Sequence, residues 1–214
     1  METASKTLPG GLFITLEGIG GTGKSTVANH LVERFEAVGY DVVLTKQPGG
    51  TPLGIVLRKL LLDPQYAAEV GILEQLFLFA ADRSAHLRDL VYPSLAAGKV
   101  VICDRYVDSM RVYQRAGGCD RLKLEQTVEL ATDGFMPRRT LWLDVEPEVG
   151  LNRALSAGRA EADRYDGDLK MEIIKRDLYA QLAAEYPERI VRVDANLEVD
   201  AVKKAAFEAV ADLL

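Results

Sequence analysis

The stretch LEGIGGTGKSTVANHL, Leu16 to Leu31, carries four glycines in its first eight residues and then a lysine. Glycine inside a regular element costs roughly 0.5–1 kcal/mol relative to alanine. A loop this rich in it implies that something must approach the backbone closely. The run before it, LFITLE (Leu12 to Glu17), reads as a buried strand, and the segment after it, Lys24 to Val38, has helical spacing.

Four further runs resemble LFITLE: DVVLTK (Asp41 to Lys46), KVVICD (Lys99 to Asp104), TLWLDV (Thr140 to Val145) and IVRVDA (Ile190 to Ala195). Most are continuous in apolar residues, as strands covered on both faces are. Segments of helical spacing separate them: Pro52 to Leu62, Glu69 to Ala97, a pair of helices within Asp108 to Asp133, Pro147 to Ala157, Leu169 to Tyr186, and Val199 to Leu214. Strands alternating with helices predict an α/β, three-layer fold with a five-stranded parallel sheet flanked by helices. We expect one domain over residues 1–214, with residues 1–10 as a flexible tail and the polar excursion Ser156 to Asp168 as a mobile segment.

Gly18, Gly23, Lys24 and Ser25 fit G-x-x-x-x-G-K-[ST], the P-loop pattern, in the strand–loop–helix context that it needs. Successive backbone N–H groups there form an anion nest, and the helix dipole points its positive end at the same spot. The expected nucleotide-phosphate site is therefore Gly18, Ile19, Gly20, Gly21, Thr22, Gly23, Lys24, Ser25 and Thr26. Lys24 can reach the β- and γ-phosphates, and the Ser25 hydroxyl suits Mg²⁺. A GTPase would also show [NT]-K-x-D and D-x-x-G motifs, and neither is found. A short P-loop chain fits a small-molecule kinase best, which makes the expected partners small molecules.

Composition agrees. The chain of 214 residues is 48% hydrophobic and 27% charged, with a net charge of −6, which argues against a broad nucleic-acid surface. Cys103 and Cys119 suggest buried, reduced thiols, and His30 and His86 read as surface or packing residues. The first ten residues lack the apolar core of a signal peptide, and no run reaches the roughly 20 apolar residues of a membrane span. The expected setting is the cytoplasm, with no membrane attachment.

Five ordered motifs, EGIGGTGKST, TKQPGGTPLG, LFAADRSAH, CDRYVDSMRVYQ and GRAEADRYD, give the chain from about Leu12 onward a resemblance to the thymidylate kinase family. The resemblance implies phosphoryl transfer from ATP to dTMP with Mg²⁺, and a homodimer to which Glu69 to Ala97 could contribute. Asp104, at a strand end, would hold Mg²⁺ through water beside Ser25, and Arg105 would contact the acceptor phosphate. Phe79 and Arg83, four apart on a helix, would stack on the base and donate to a pyrimidine carbonyl. Tyr113 would pack beneath the deoxyribose, Gln114 would lie near the base, and Pro48 and Ser109 would complete the acceptor pocket. The polar excursion would be the family's lid, to which Arg153, Arg159 and Arg164 belong. Arg164 is the first candidate and Arg159 the second for the cation that stabilises the transferred group; with Lys24 and Arg105 they make the expected catalytic set.

The chain departs from the family's pattern at Gly20, where Asp or Glu is common, at Lys46 and Gln47, where T-R-E-P-G is usual, and at Met110 and Val112. Two carboxylates near the acceptor are therefore absent, which predicts weaker acceptor binding or relaxed sugar recognition. A kinase for another nucleotide or a deoxynucleoside, such as dUMP, and a non-catalytic ATP-binding protein stay open as alternatives.

Overall fold

The computed structural model describes residues 6–66, 69–157 and 168–214. Among them the elements run β1 (Leu12–Glu17), α1 (Lys24–Ala37), β2 (Val42–Lys46), α2 (Pro52–Leu62), α3 (Ile72–His86), α4 (Tyr92–Ala96), β3 (Val100–Asp104), α5 (Val107–Ala116), α6 (Arg121–Thr132), β4 (Arg139–Asp144), α7 (Pro147–Ser156), α8 (Leu169–Glu185), β5 (Ile190–Asp194) and α9 (Val199–Glu208). The five strands form one sheet in the order β2-β3-β1-β4-β5, every pair parallel.

Alternation within the strands feeds two cores. Leu12, Ile14 and Leu16 of β1, with Val100 and Ile102 of β3, meet Val27, Leu31 and Phe35 of α1, Tyr179 of α8 and Ala206 of α9. Phe13, Val101 and Cys103 point the other way, against Leu76 of α3, Met110 of α5 and Leu124 of α6. The three inner strands are buried almost throughout, while the edge strands β2 and β5 expose part of their length. That is why the inner three read as unbroken apolar runs.

Two expectations need adjusting. The segment Glu69 to Ala97 is not one regular helix: α3 passes through a π-type turn, Leu87–Val91, into α4, where the Tyr92 N–H reaches back to the Leu87 carbonyl. Pro93, in the first turn of α4, has no N–H to give to a continuing α-helical ladder. The tail is held from Lys6 onward, because the Lys6 N–H donates to the Gly39 carbonyl at 2.7 Å and the Leu8 N–H to the Gly98 carbonyl at 3.0 Å.

Helix α5 is anchored from beneath. The Asp108 carboxylate, wholly buried, accepts from both terminal nitrogens of Arg189 at 2.6 and 2.9 Å. This fixes the rotation of a helix whose other residues, Ser109, Tyr113 and Gln114, line a cavity. All the strands end on the same side, and in such sheets ligands bind beyond the carboxyl ends where the strand order reverses. The reversal here falls at β1, between β3 and β4.

Candidate functional site

The glycine loop leaves the carboxyl end of β1 and opens α1. Gly18 has φ +143°, and a Cβ there would sit 2.6 Å from the Leu143 carbonyl oxygen; Gly21 has φ +70°, and a Cβ there would run into the Gly150 carbonyl. The loop therefore lies tightly over β4 and α7. Helix α1 starts at Gly23 in a left-handed conformation, with no side-chain cap and no acidic residue in its first turn. No protein group of that kind offsets the positive end of its dipole. Lys24, almost fully buried, donates to the carbonyls of Gly18 and Ile19 at 3.1 and 2.9 Å and to Thr22 Oγ1 at 3.2 Å.

The end of β3 meets this loop through Glu17. That carboxylate is wholly buried and accepts from the Tyr106 N–H at 2.8 Å, the Ser109 N–H at 3.1 Å, the Tyr179 hydroxyl at 2.9 Å and the Ser109 hydroxyl. Burial raises its pKa and the Asp108 charge adds to this, while the Arg105 charge opposes both. The bonds draw the β3–α5 connection inward, with Arg105 at φ +72°. A non-glycine residue held there costs on the order of 1–3 kcal/mol. Arg105 then donates to the Gly18 carbonyl and to Ser109 Oγ, both at 3.0 Å, and its guanidinium lies 4.9 Å from the centre of the Tyr113 ring.

Ser25 and Asp104 share a cavity of about 360 Å³, bounded also by Thr45, Lys46, Gly49 and Gly50. Asp104 Oδ1 is buried and has no hydrogen-bond partner among the described residues. Among those residues no cluster of three His, Cys, Asp or Glu forms a cage for a metal. The donors at hand are a hydroxyl and a carboxylate oxygen, which suit a hard divalent ion that completes its shell with phosphate oxygens and water.

Pro48, Phe79, Arg83, Arg105, Ser109, Tyr113 and Gln114, singled out from the sequence, all line a second cavity, together with Gln47, Arg58, Leu62, Tyr106 and Met110. Arg83 is only 2% exposed. Its Nε donates to Gln47 Oε1 at 3.1 Å, Nη1 to Met110 Sδ at 2.9 Å and Nη2 to the Tyr106 carbonyl at 3.2 Å. Among the described residues three of its five N–H groups are thus used, and one on each terminal nitrogen has no partner there. At the other end of the cavity wall, Gln114 Oε1 is buried with no hydrogen-bond partner among the described residues.

Residues read as departures turn out to hold Arg83. Because Gln47 Oε1 accepts from Arg83, its Nε2 faces His86 Nδ1, at 2.8 Å. His86 then carries its proton on Nε2 and donates to Thr45 Oγ1 at 2.8 Å. Helix α3 supplies another clamp, with Asp82 accepting from the Gly49 N–H at 2.9 Å. Of the two readings of His86, surface or packing, burial supports the second: it is a wholly buried residue within this network. Arg153 belongs to α7 and donates to the Ala195 carbonyl at 3.0 Å. Arg159 and Arg164 lie outside the described residues. Glu17, Asp82 and the network role of His86 were missed because a motif shows which residues recur, not which buried partners they need. The signal for Glu17 was a charge ending an otherwise apolar strand.

A parallel sheet with a glycine loop and lysine at the end of its first strand, and a lined cavity beside it, defines a P-loop nucleotide-binding protein. The family model described as thymidylate kinase matches residues 16–206. The chain is 46% identical over 188 residues to the thymidylate kinase of Synechococcus sp. (strain JA-2-3B'a(2-13)), covering 86% of this chain and 87% of that one. It is 42% identical over 210 residues to that of Solidesulfovibrio magneticus, covering 95% and 100%, and 41% identical over 201 residues to that of Nostoc punctiforme, covering 93% and 95%. The chain belongs to the thymidylate kinase family.

Burial, and then the nearby Arg83 charge, lower the pKa of His86 from 6.5 to about 4. Between those values the unfolded chain binds a proton that the folded chain refuses, so stability falls as pH drops through this window. Urea unfolding at pH 7 and pH 5 should show a loss about 2 kcal/mol larger in the wild type than in His86→Gln. Equal losses would contradict the buried neutral imidazole.

Proposed function

We propose that the protein transfers the γ-phosphoryl group of ATP to dTMP, giving ADP and dTDP. One observation carries the choice of acceptor: the cavity is lined by Arg83, which keeps unused N–H donors, by Gln114, whose buried Oε1 has no hydrogen-bond partner among the described residues, and by the aromatic ring of Phe79. Thymine presents a carbonyl at C4 beside an N–H at N3, which matches that order. Cytosine presents an amino group beside a bare nitrogen, which opposes it at both positions. Uracil has the same edge as thymine, so dUMP is the nearest competitor. The sequence relatives named thymidylate kinase favour dTMP.

In this reading the residues align and neutralise and form no covalent bond to the phosphoryl group. The loop amides and the α1 dipole cradle the ATP phosphates, Lys24 turns from the loop carbonyls to the β- and γ-phosphates, and Arg105 holds the acceptor phosphate in line. Tyr113, beneath Arg105, packs against the deoxyribose. Ser25 and Asp104 fit a Mg²⁺ ion, which would neutralise charge on the phosphates there. Arg159 and Arg164 are our candidates for the cation that covers the transferred group.

We further propose a homodimer in the cytoplasm. Leu73, Phe77, Ala81 and Ser84 form an exposed stripe at helical spacing on α3, with Phe77 61% exposed, and Ile55 and Val56 of neighbouring α2 and Leu130 of α6 are exposed as well. A cytoplasmic setting is supported by free Cys103 and Cys119, and among the described residues no helix is long and apolar enough to cross a membrane.

An ADP-release assay over dTMP, dUMP, dCMP and deoxynucleosides should show the highest kcat/KM on dTMP; ATP binding without turnover on any of them would refute the proposal. Lys24→Ala should lower kcat by on the order of 100-fold or more while the fold survives. Arg83→Ala should raise the KM for dTMP at least about tenfold while leaving that for ATP nearly as it is; equal effects on both would remove Arg83 from the base. Phe77→Glu should shift the sedimentation of the protein from dimer to monomer, and an unchanged sedimentation coefficient would remove this stripe from the interface.

A further inference from the structure

Gln75 sits on the inner face of α3, 6% exposed, one turn before Phe79 and two before Arg83. Its Nε2 donates to the Val70 carbonyl at 3.1 Å. A carbonyl can only accept, so this bond decides which end of the Gln75 amide faces which way. Oε1 turns to Gln114 and accepts from its Nε2 at 3.3 Å. Gln114 is fixed in turn: its nitrogen is committed to Gln75, and its buried oxygen is left with no hydrogen-bond partner among the described residues, on a side chain that lines the acceptor cavity.

We propose that Gln75 is a positioning residue for base selection, holding Gln114 with its oxygen toward the acceptor so that the site receives a ring N–H and rejects a bare ring nitrogen. This rests on the proposal that a pyrimidine nucleotide occupies this cavity. An amide free to rotate would serve either base, giving its oxygen to N3–H of thymine or its NH₂ to N3 of cytosine. An amide held by Gln75 cannot turn without breaking its bond and setting two carbonyl oxygens against each other. A buried polar group left unpaired in this way is costly. The effect of Gln75 therefore falls on the wrong base more than on the right one, the mark of specificity by exclusion.

The test compares three variants on dTMP and dCMP. Gln75→Leu frees the Gln114 amide, and the ratio of kcat/KM for dTMP over dCMP should fall on the order of tenfold, through a gain on dCMP. Arg83 still opposes the 4-amino group, so the ratio stays above one. Gln75→Glu keeps an acceptor for Gln114 Nε2 and should retain the wild-type ratio. Gln75→Lys presents only donors, turns the Gln114 oxygen inward, and should raise the KM for dTMP on the order of tenfold without a matching fall in kcat. If Gln75→Leu fails to fold, the contrast between Glu and Lys decides. An unchanged ratio in Gln75→Leu, an equal loss in Gln75→Glu, or a fall in kcat alone would overturn the proposal. A wild-type protein with no turnover of dTMP would instead refute the substrate reading beneath it.

Discussion

The site depends on one buried carboxylate. Glu17 ends β1, precedes the phosphate loop, and accepts hydrogen bonds from the β3–α5 connection and from Tyr179 of α8. Removing an ionised carboxylate from water costs several kcal/mol even after relaxation. Four donors offset that cost, and hydrogen bonds to a charged group contribute about 1.5–3 kcal/mol each. The donors belong to segments far apart in the chain, so satisfying Glu17 brings them together. Arg105 is carried to the phosphate loop as a consequence, in a backbone conformation that an isolated arginine would avoid.

The cavity lined by Arg83 and Gln114 follows a different rule. Its orienting network is built of neutral groups: Gln47, His86 and Thr45 on one side, Gln75 and Gln114 on the other. A carboxylate at position 47 would have paired with Arg83 as an ion. The amide holds the same guanidinium in place and leaves its charge uncompensated by this partner, with Asp82 occupied by the Gly49 N–H. The guanidinium is thus oriented without a carboxylate at position 47, and direction is set by amide and imidazole polarity. The same choice explains why burial can hold His86 neutral, since its Nδ1 must accept from Gln47.

The order of strands and helices was legible from apolar periodicity, and β1, β3 and β4 were the clearest because both of their faces are covered. The phosphate loop was legible because its glycines answer a local steric demand. Arg83 and Phe79 were legible as a pair because four residues make about one helical turn. The π-type turn after α3 was not, since apolar spacing hardly changes across one widened turn. Gln47 was read as a loss and Met110 as a departure, because a motif compares residue types and says nothing about the partners that a substituted side chain finds.

By itself, the sequence determined the parallel α/β layering and the glycine-loop motif, because each of these rests on contacts within a few residues or on a short period, and its resemblance to a known family named the residue types expected around that loop. Only the tertiary structure decided how those groups point. The orientation of the Gln47, Gln75 and Gln114 amides and the proton position on His86 depend on partners from separate elements. A buried polar group takes its direction from whatever faces it, and that neighbour is fixed by the packing of the chain and not by its order.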